Sequence, residues 1–179
     1  MIKMIKFEIR NRRSGEIQFT ALIGADEAAA ESTKIGLAVK WALKTGVDLA
    51  GADLSRAFLP GVNLAGVDLS GAKLYGVNFS DGNLTGAGLA GAYLSYADLK
   101  HANLSNADLF DANLTGAFLS EANLSGADLT GANLSRAYLI RANLGQANLA
   151  WANLFRTDLS WANLSNANFS NANFYDTTS

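Results

Sequence analysis

A Leu or Phe stands at every fifth position from Leu49 to Phe174, 26 times in succession and without a slip. Two residues before each stands a small residue, mostly Ala (Ala52, Ala57, Ala72) or Val, with Gly82 and Thr157 as exceptions. A helix repeats every 3.6 residues and a strand every two, so neither can keep a five-residue beat on one face. The chain must turn a corner once per repeat. Strict repetition of this kind marks a solenoid, in which each unit stacks on its neighbours and stability accumulates along the axis.

The first 46 residues do not follow the beat. Ile5, Phe7 and Ile9 alternate with Lys6, Glu8 and Arg10, and Ile17, Phe19 and Ala21 alternate with Gln18 and Thr20. Both are amphipathic strand patterns. For the two apolar sets to share a face, Ile9 must oppose Phe19. That leaves Arg13-Ser14-Gly15 as the loop, Gly15 in a left-handed conformation and Arg12 facing Glu16. Asp26 then opens a helix as its N-cap, with Glu27 and Glu31 near the start, Lys40 and Lys44 near the end, and Gly46 as the stop. Ile35, Leu37 and Trp41 lie on its apolar stripe with Ala38 and Ala42. A solenoid needs a non-repeating cover over its core end. This helix is read as that cover, with Trp41 as its plug. The basic residues of the hairpin are read as a solvated face, so no direct nucleic-acid binding is expected.

Within the beat, ADLSR (52–56), ANLSN (102–106), ANLTG (112–116) and ADLTG (127–131) share the form A-[DN]-L-x-x. On these motifs residues 47–176 resemble the pentapeptide-repeat family. The resemblance implies a mainly β fold, a right-handed quadrilateral β-helix with four pentapeptides to a coil and the Leu and preceding Ala inward. The organisation expected is a β-hairpin and capping helix over 1–46, the β-helix over 47–176 and a tail over 177–179. Twenty-six repeats make about six and a half coils, a rod about 31 Å long at the strand spacing of roughly 4.8 Å.

Sorted by that 20-residue coil, the outward residues fall on four faces. One carries Asn63, Asn83, Asn103, Asn123, Asn143 and Asn163 with no charge, which predicts a coil-to-coil amide ladder. Another carries Asp48, Asp68, Asp108, Asp111 and Asp128 with no positive residue. Stacked like charges are unfavourable, so this column is the candidate acidic binding face. A third sets Arg56, Lys73, Arg136 and Arg156 among Tyr75, Tyr93, Tyr96 and Phe155, and the fourth is mixed. Residues 1–46 carry a formal charge of +3 and residues 47–179 one of −5.

Other apparent motifs are by-products of the beat. GxGxxG at Gly86–Gly91 has no strand-to-helix transition after it, and the repeated Asn-Leu-Ser/Thr is the repeat itself. One histidine and no cysteine give no basis for a zinc site or a triad. A regular convex rod offers no pocket to desolvate paired carboxylates. No enzyme, cofactor or metal is expected. The first residues lack an apolar leader core, and no apolar run approaches the ~20 residues of a membrane span. A cytoplasmic protein is the expectation.

The last coil and a half gathers Trp151, Phe155, Trp161, Phe169, Phe174 and Tyr175. These rings either plug the end of the rod or join two rods as a homodimer, and the dimer is favoured. The resemblance also implies a partner. Qnr-type members resemble a short DNA duplex and bind DNA gyrase or topoisomerase IV in its place. The acidic face fits that role, although the net charge is low for a duplex and the projecting loops of many Qnr-type members are missing. The alternative is a structural or scaffold module with no topoisomerase role.

Overall fold

The computed structural model describes residues 2–178. It opens with an antiparallel hairpin of β1 (Lys3–Arg10) and β2 (Ile17–Ala25), followed by helix α1 (Glu31–Thr45). The alternation sets the register as expected, and Ile9 faces Phe19. The turn differs. A bulge between Ile9 and Arg10 lets Arg10 face Ile17, so Asn11 rather than Arg12 closes onto Glu16 (N–H to O 2.8 Å). The loop is therefore longer by one residue at its start, and Gly15 takes φ +72°. Arg12 is released to reach the repeats. Asp26 is not the helix cap either: its carboxylate accepts the Ala28 N–H in a separate turn, and α1 begins five residues later without a side-chain cap. Gly46 ends the helix in the left-handed conformation, as expected.

From Asp53 on, the residue before each central Leu or Phe pairs in parallel with the residue twenty positions further: Asp53 with Lys73, Asn63 with Asn83, Asp158 with Thr178. Four pentapeptides thus make one winding of a β-helix. Central residues from Leu49 to Leu159 are buried, and so are the small residues two before them, with Val47 and Val67 partly so. Thr157 is tolerated among them because its hydroxyl donates to the Leu134 carbonyl (2.8 Å).

Backbone accounting explains the consensus. In a typical repeat the Leu54 and Arg56 N–H groups donate to Lys73 and Tyr75 one coil ahead, Lys73 donates back to Ala52, and Ala57 closes a turn onto Leu54. That leaves Ser55, whose N–H is taken by the Asp53 carboxylate (3.2 Å). The Asp or Asn of the motif is therefore a cap for a donor that the coil cannot satisfy. At many coils Asn adds a second bond, its amide donating to the Asn one coil below, although Asn103 makes none to Asn83. The predicted ladder forms at Asn83–Asn63, Asn123–Asn103, Asn143–Asn123 and Asn163–Asn143, at 2.9 to 3.2 Å.

The corner is the second residue after each Leu. All 26 of these positions, from Gly51 to Asp176, have positive φ, and sixteen of them are not glycine. A positive φ at the third residue of a hydrogen-bonded turn is the requirement of a type II turn. The sequence signal is the repeated Gly there and the absence of any β-branched residue or proline. Gln146, at φ +62° with its side chain exposed, isolates the effect. Gln146→Val is expected to lower stability by about 1–2 kcal/mol, measured by urea unfolding. An unchanged midpoint would show that the corner tolerates a branched Cβ.

The hairpin and helix cover the first coil. Asn11 bridges Ala52 antiparallel, Asp53 donates to the Arg10 carbonyl (2.8 Å) and Arg12 to that of Gly51 (2.9 Å). Ile35, Ala38, Val39 and Ala42 of α1 join the same buried cluster as Leu49, Leu54 and Leu59. Leu37 and Trp41 pack only at its margin. Trp41 is not a lumenal plug: its ring stacks on Phe19 of the hairpin (centroids 6.3 Å, 15°).

Candidate interaction surfaces

The acidic column is held by the rule that shapes the repeat. One oxygen each of Asp48, Asp68, Asp108 and Asp128 accepts the backbone N–H two residues on, at 2.8 to 3.0 Å. No hydrogen bond engages the other oxygen among the described residues. Gly88 interrupts the column between Asp68 and Asp108, leaving Asp108 and Asp128 directly paired one coil apart. Asp111 is different, since it occupies a corner at φ +51° and is exposed. The five carboxylates therefore share a side of the rod but not one line.

The aromatic end separates into three groups. Phe169 and Phe174 belong to the inward column and touch each other (5.1 Å), with Phe174 still 43 % exposed. Phe155 and Tyr175 stack on an outer face (5.8 Å, 5°). Trp151 and Trp161 stand at separate corners, and Trp161 is 86 % exposed. Only Phe169 and Phe174 line the end of the core. Residue spacing could have shown this, because the two tryptophans share the frame of Gly51 and Gly61 rather than that of Leu.

A third surface lies where the hairpin meets the rod, and sequence reasoning missed its geometry. Arg12 donates through Nε to the Gly71 carbonyl and lies over the Tyr93 ring (4.2 Å). With Lys73, Tyr75, Tyr93 and Ser95 it lines a groove of about 390 Å3. Lys73 and Tyr75 also border a larger cleft of about 660 Å3 between β1, the start of α1 and the rod, where Glu8, Glu31 and Asp53 mix with Arg10 and Arg56. Lys73 pairs with Asp53 (2.9 Å). Burial raises the Asp53 pKa, but the Ser55 hydroxyl and the Lys73 ammonium lower it by more, so the carboxyl sits below its ordinary value. A depressed carboxyl contributes stability at neutral pH and loses it as pH falls through the acidic range.

Among the described residues no group of three or more His, Asp or Glu side chains is placed to hold a metal ion. His101 faces Glu121 at 3.6 Å on an exposed corner column with Arg141. No helix of the described residues is long and apolar enough to cross a membrane.

Known proteins share this construction. The family described as pentapeptide repeats matches eight copies, over residues 45–81, 72–109, 83–120, 107–146, 119–154 and 152–178. Among solved structures, the chain is similar to a pentapeptide repeat protein of the Arabidopsis thaliana thylakoid lumen. The two are 32 % identical over 65 % of this chain and 64 % of that one, with a TM-score of 0.38. It is similar to HetL, a pentapeptide repeat protein involved in heterocyst differentiation regulation from the cyanobacterium Nostoc. Here the identity is 26 %, over 79 % of this chain and 93 % of that one, with a TM-score of 0.35. It is also similar to a trypsin-treated form of QnrB1, a plasmid-mediated fluoroquinolone resistance protein. That match has 20 % identity over 72 % of this chain and 79 % of that one, with a TM-score of 0.50, and is a likeness of fold alone. No curated protein matches the chain in sequence.

Proposed function

The chain belongs to the pentapeptide-repeat family, and on that premise we propose that it is a non-catalytic interaction protein whose acidic face a type II topoisomerase, DNA gyrase or topoisomerase IV, reads in place of DNA. This reading takes the rod to be a right-handed quadrilateral β-helix of about six and a half coils, 26 repeats at four to a coil. The observation that carries the reading is the side bearing Asp48, Asp68, Asp108, Asp111 and Asp128. Asp48, Asp68, Asp108 and Asp128 are fixed with one oxygen free, and the repeats of this face supply no cation, so they form a negative field along that side. Such a field steers a cationic groove toward it. The same reading places the protein in the cytoplasm, as a homodimer joined where Phe169 and Phe174 leave the core exposed. Light scattering that returns a single-chain mass at every concentration overturns the dimer.

The test is a gyrase supercoiling assay with and without a quinolone. Inhibition or protection is expected at about 1–10 µM protein. Asp48, Asp68, Asp108 and Asp128 changed together to Asn should abolish it, because Asn keeps the turn-capping oxygen and removes only the charge. Activity retained in that variant, or no effect of the parent protein, overturns the topoisomerase reading. The groove of Arg12, Lys73, Tyr75 and Tyr93 favours a second reading, a scaffold module that joins another protein complex, since Arg and Tyr are enriched at binding hot spots.

A further inference from the structure

We propose that the groove lined by Arg12, Lys73, Tyr75, Tyr93 and Ser95 binds an acidic segment of a protein partner, whose carboxylates cap the backbone N–H groups of Tyr75 and Ser95. The inference deepens the scaffold reading and does not depend on the acidic face or on topoisomerases.

The repeat pattern shows which backbone donors of this groove lack a side-chain acceptor. In most repeats the Asp or Asn before the central Leu accepts the N–H of the residue after it, as Asp53 does for Ser55 and Asn113 for Thr115. At two successive coils of one face that residue is Lys73 and then Tyr93. The N–H groups of Tyr75 and Ser95 therefore have no hydrogen-bond acceptor among the described residues. Both belong to residues lining the groove, about 4.8 Å apart along the rod. Where Phe58 likewise replaces the capping residue, the following position is Pro60, which has no N–H to cap. The other uncapped pair on adjacent coils, Ser120 and Ile140, adjoins the stacked Phe118 and Tyr138 with one cation, Lys100, above Phe118.

The groove differs from that second pair, beside which Glu121 stands between His101 and Arg141, in having cations without an acid. Arg12 and Lys73 line it and no acidic residue does. Arg12 has no carboxylate within ion-pair distance among the described residues, and neither does Arg56 in the adjoining cleft. A carboxylate entering here takes the place that the repeat gives its own Asp, with charge-assisted bonds from a guanidinium added. The rings of Tyr75 and Tyr93, each 42 % exposed, offer apolar contact to neighbouring side chains. Polypeptide fits better than nucleic acid because the groove runs into the cleft bearing Glu8, Glu31 and Asp53, which repels a continuous polyanion but accepts a chain of mixed charge.

The probe is a fluorescein-labelled twelve-residue peptide of Asp and Phe, with its Asn-for-Asp twin, read by fluorescence anisotropy at low salt. The acidic peptide is expected to bind below about 1 mM and the twin at least tenfold more weakly. The decisive variant is Lys73→Asn with Tyr93→Asn, which restores the repeat's own caps in exchange for the exposed Lys73–Asp53 pair and the Arg12–Tyr93 contact. It should keep or raise the melting temperature and weaken peptide binding at least tenfold. Tyr75→Ser, the residue found at Ser55 and Ser95, should weaken binding with the fold kept. Unchanged binding in the restored variant overturns the proposal, as does no binding by the parent protein. Equal or tighter binding of ATP or of a twelve-nucleotide oligothymidylate overturns it in favour of a phosphate ligand. A failed supercoiling assay leaves this result untouched, and the reverse holds.

Discussion

Leu104→Ala is expected to cost about 2–5 kcal/mol in urea unfolding, as for any of the fully buried inward leucines of the central coils. Leu104 is fully buried among the inward side chains of adjacent coils. Four central side chains fill each winding, and the coils above and below are pinned by backbone bonds of 2.7 Å such as Leu104 N–H to Asn123 O and Leu84 N–H to Asn103 O. Those bonds hold the coil spacing fixed, so the walls cannot collapse into the space and the cavity term applies in full. The comparison is Leu164→Ala at the last coil, where the side chain is already partly exposed. There the loss should be about half as large or less, since part of the transfer energy is absent. Equal losses at the two sites would show that the inward column is not the principal stabiliser of the rod. Because each coil touches only its neighbours, the central variant should also split unfolding into two phases, which two probes at opposite ends would resolve.

How far the sequence carried this reading depended on whether a position answered to a local rule or to a distant contact. The inward Leu column, the Asn ladder and the pairing of Ile9 with Phe19 were legible because each follows from a fixed period. The capping role of Asp and Asn was hidden behind their charge: Asp48 and Asn63 perform the same backbone task, and only their second function differs. The start of α1 was misplaced because Asp26 satisfies a turn with the same chemistry that caps a helix. The hairpin loop was misread because a bulge leaves no mark in an alternation already ending at Arg10. Arg12 was the least legible. Its partners Gly71 and Tyr93 lie about sixty and eighty residues away, and nothing in a charge run announces a ring. The aromatic end looked like one cluster because six rings crowd a short segment. The five-residue frame sends them to the core end, to an outer face and to two corners.

Gly36→Val sets two physical effects against each other within one helix. On propensity alone, replacing a mid-helix glycine should help: Gly is about 0.8–1.0 kcal/mol worse than Ala there, and Val lies between. The packing of α1 gives the opposite sign. A Cβ on Gly36 would stand 2.5 Å from the Phe58 carbonyl oxygen, a backbone atom that cannot swing aside. That approach is so close because the Phe58 N–H donates to the Ser32 carbonyl (3.1 Å), tying the rod's first coil to the helix backbone. The helix must therefore lift, taking Ile35, Ala38, Val39 and Ala42 from the core they share with Leu54 and Leu59. Strain of 1–3 kcal/mol and the exposure of even one such side chain put the expected loss at about 3 kcal/mol or more, with Gly36→Ala intermediate. Hydrogen exchange supplies a second reading: the Phe58 amide should lose protection while the amides of Leu114 and Leu124, several coils away, keep theirs. Trp41 emission should also shift as its stacking on Phe19 is disturbed. A Gly36→Val protein as stable as its parent, with the Phe58 amide still protected, would mean that α1 does not rest on this coil, and the cover over the first end of the core would have to be sought in the hairpin alone.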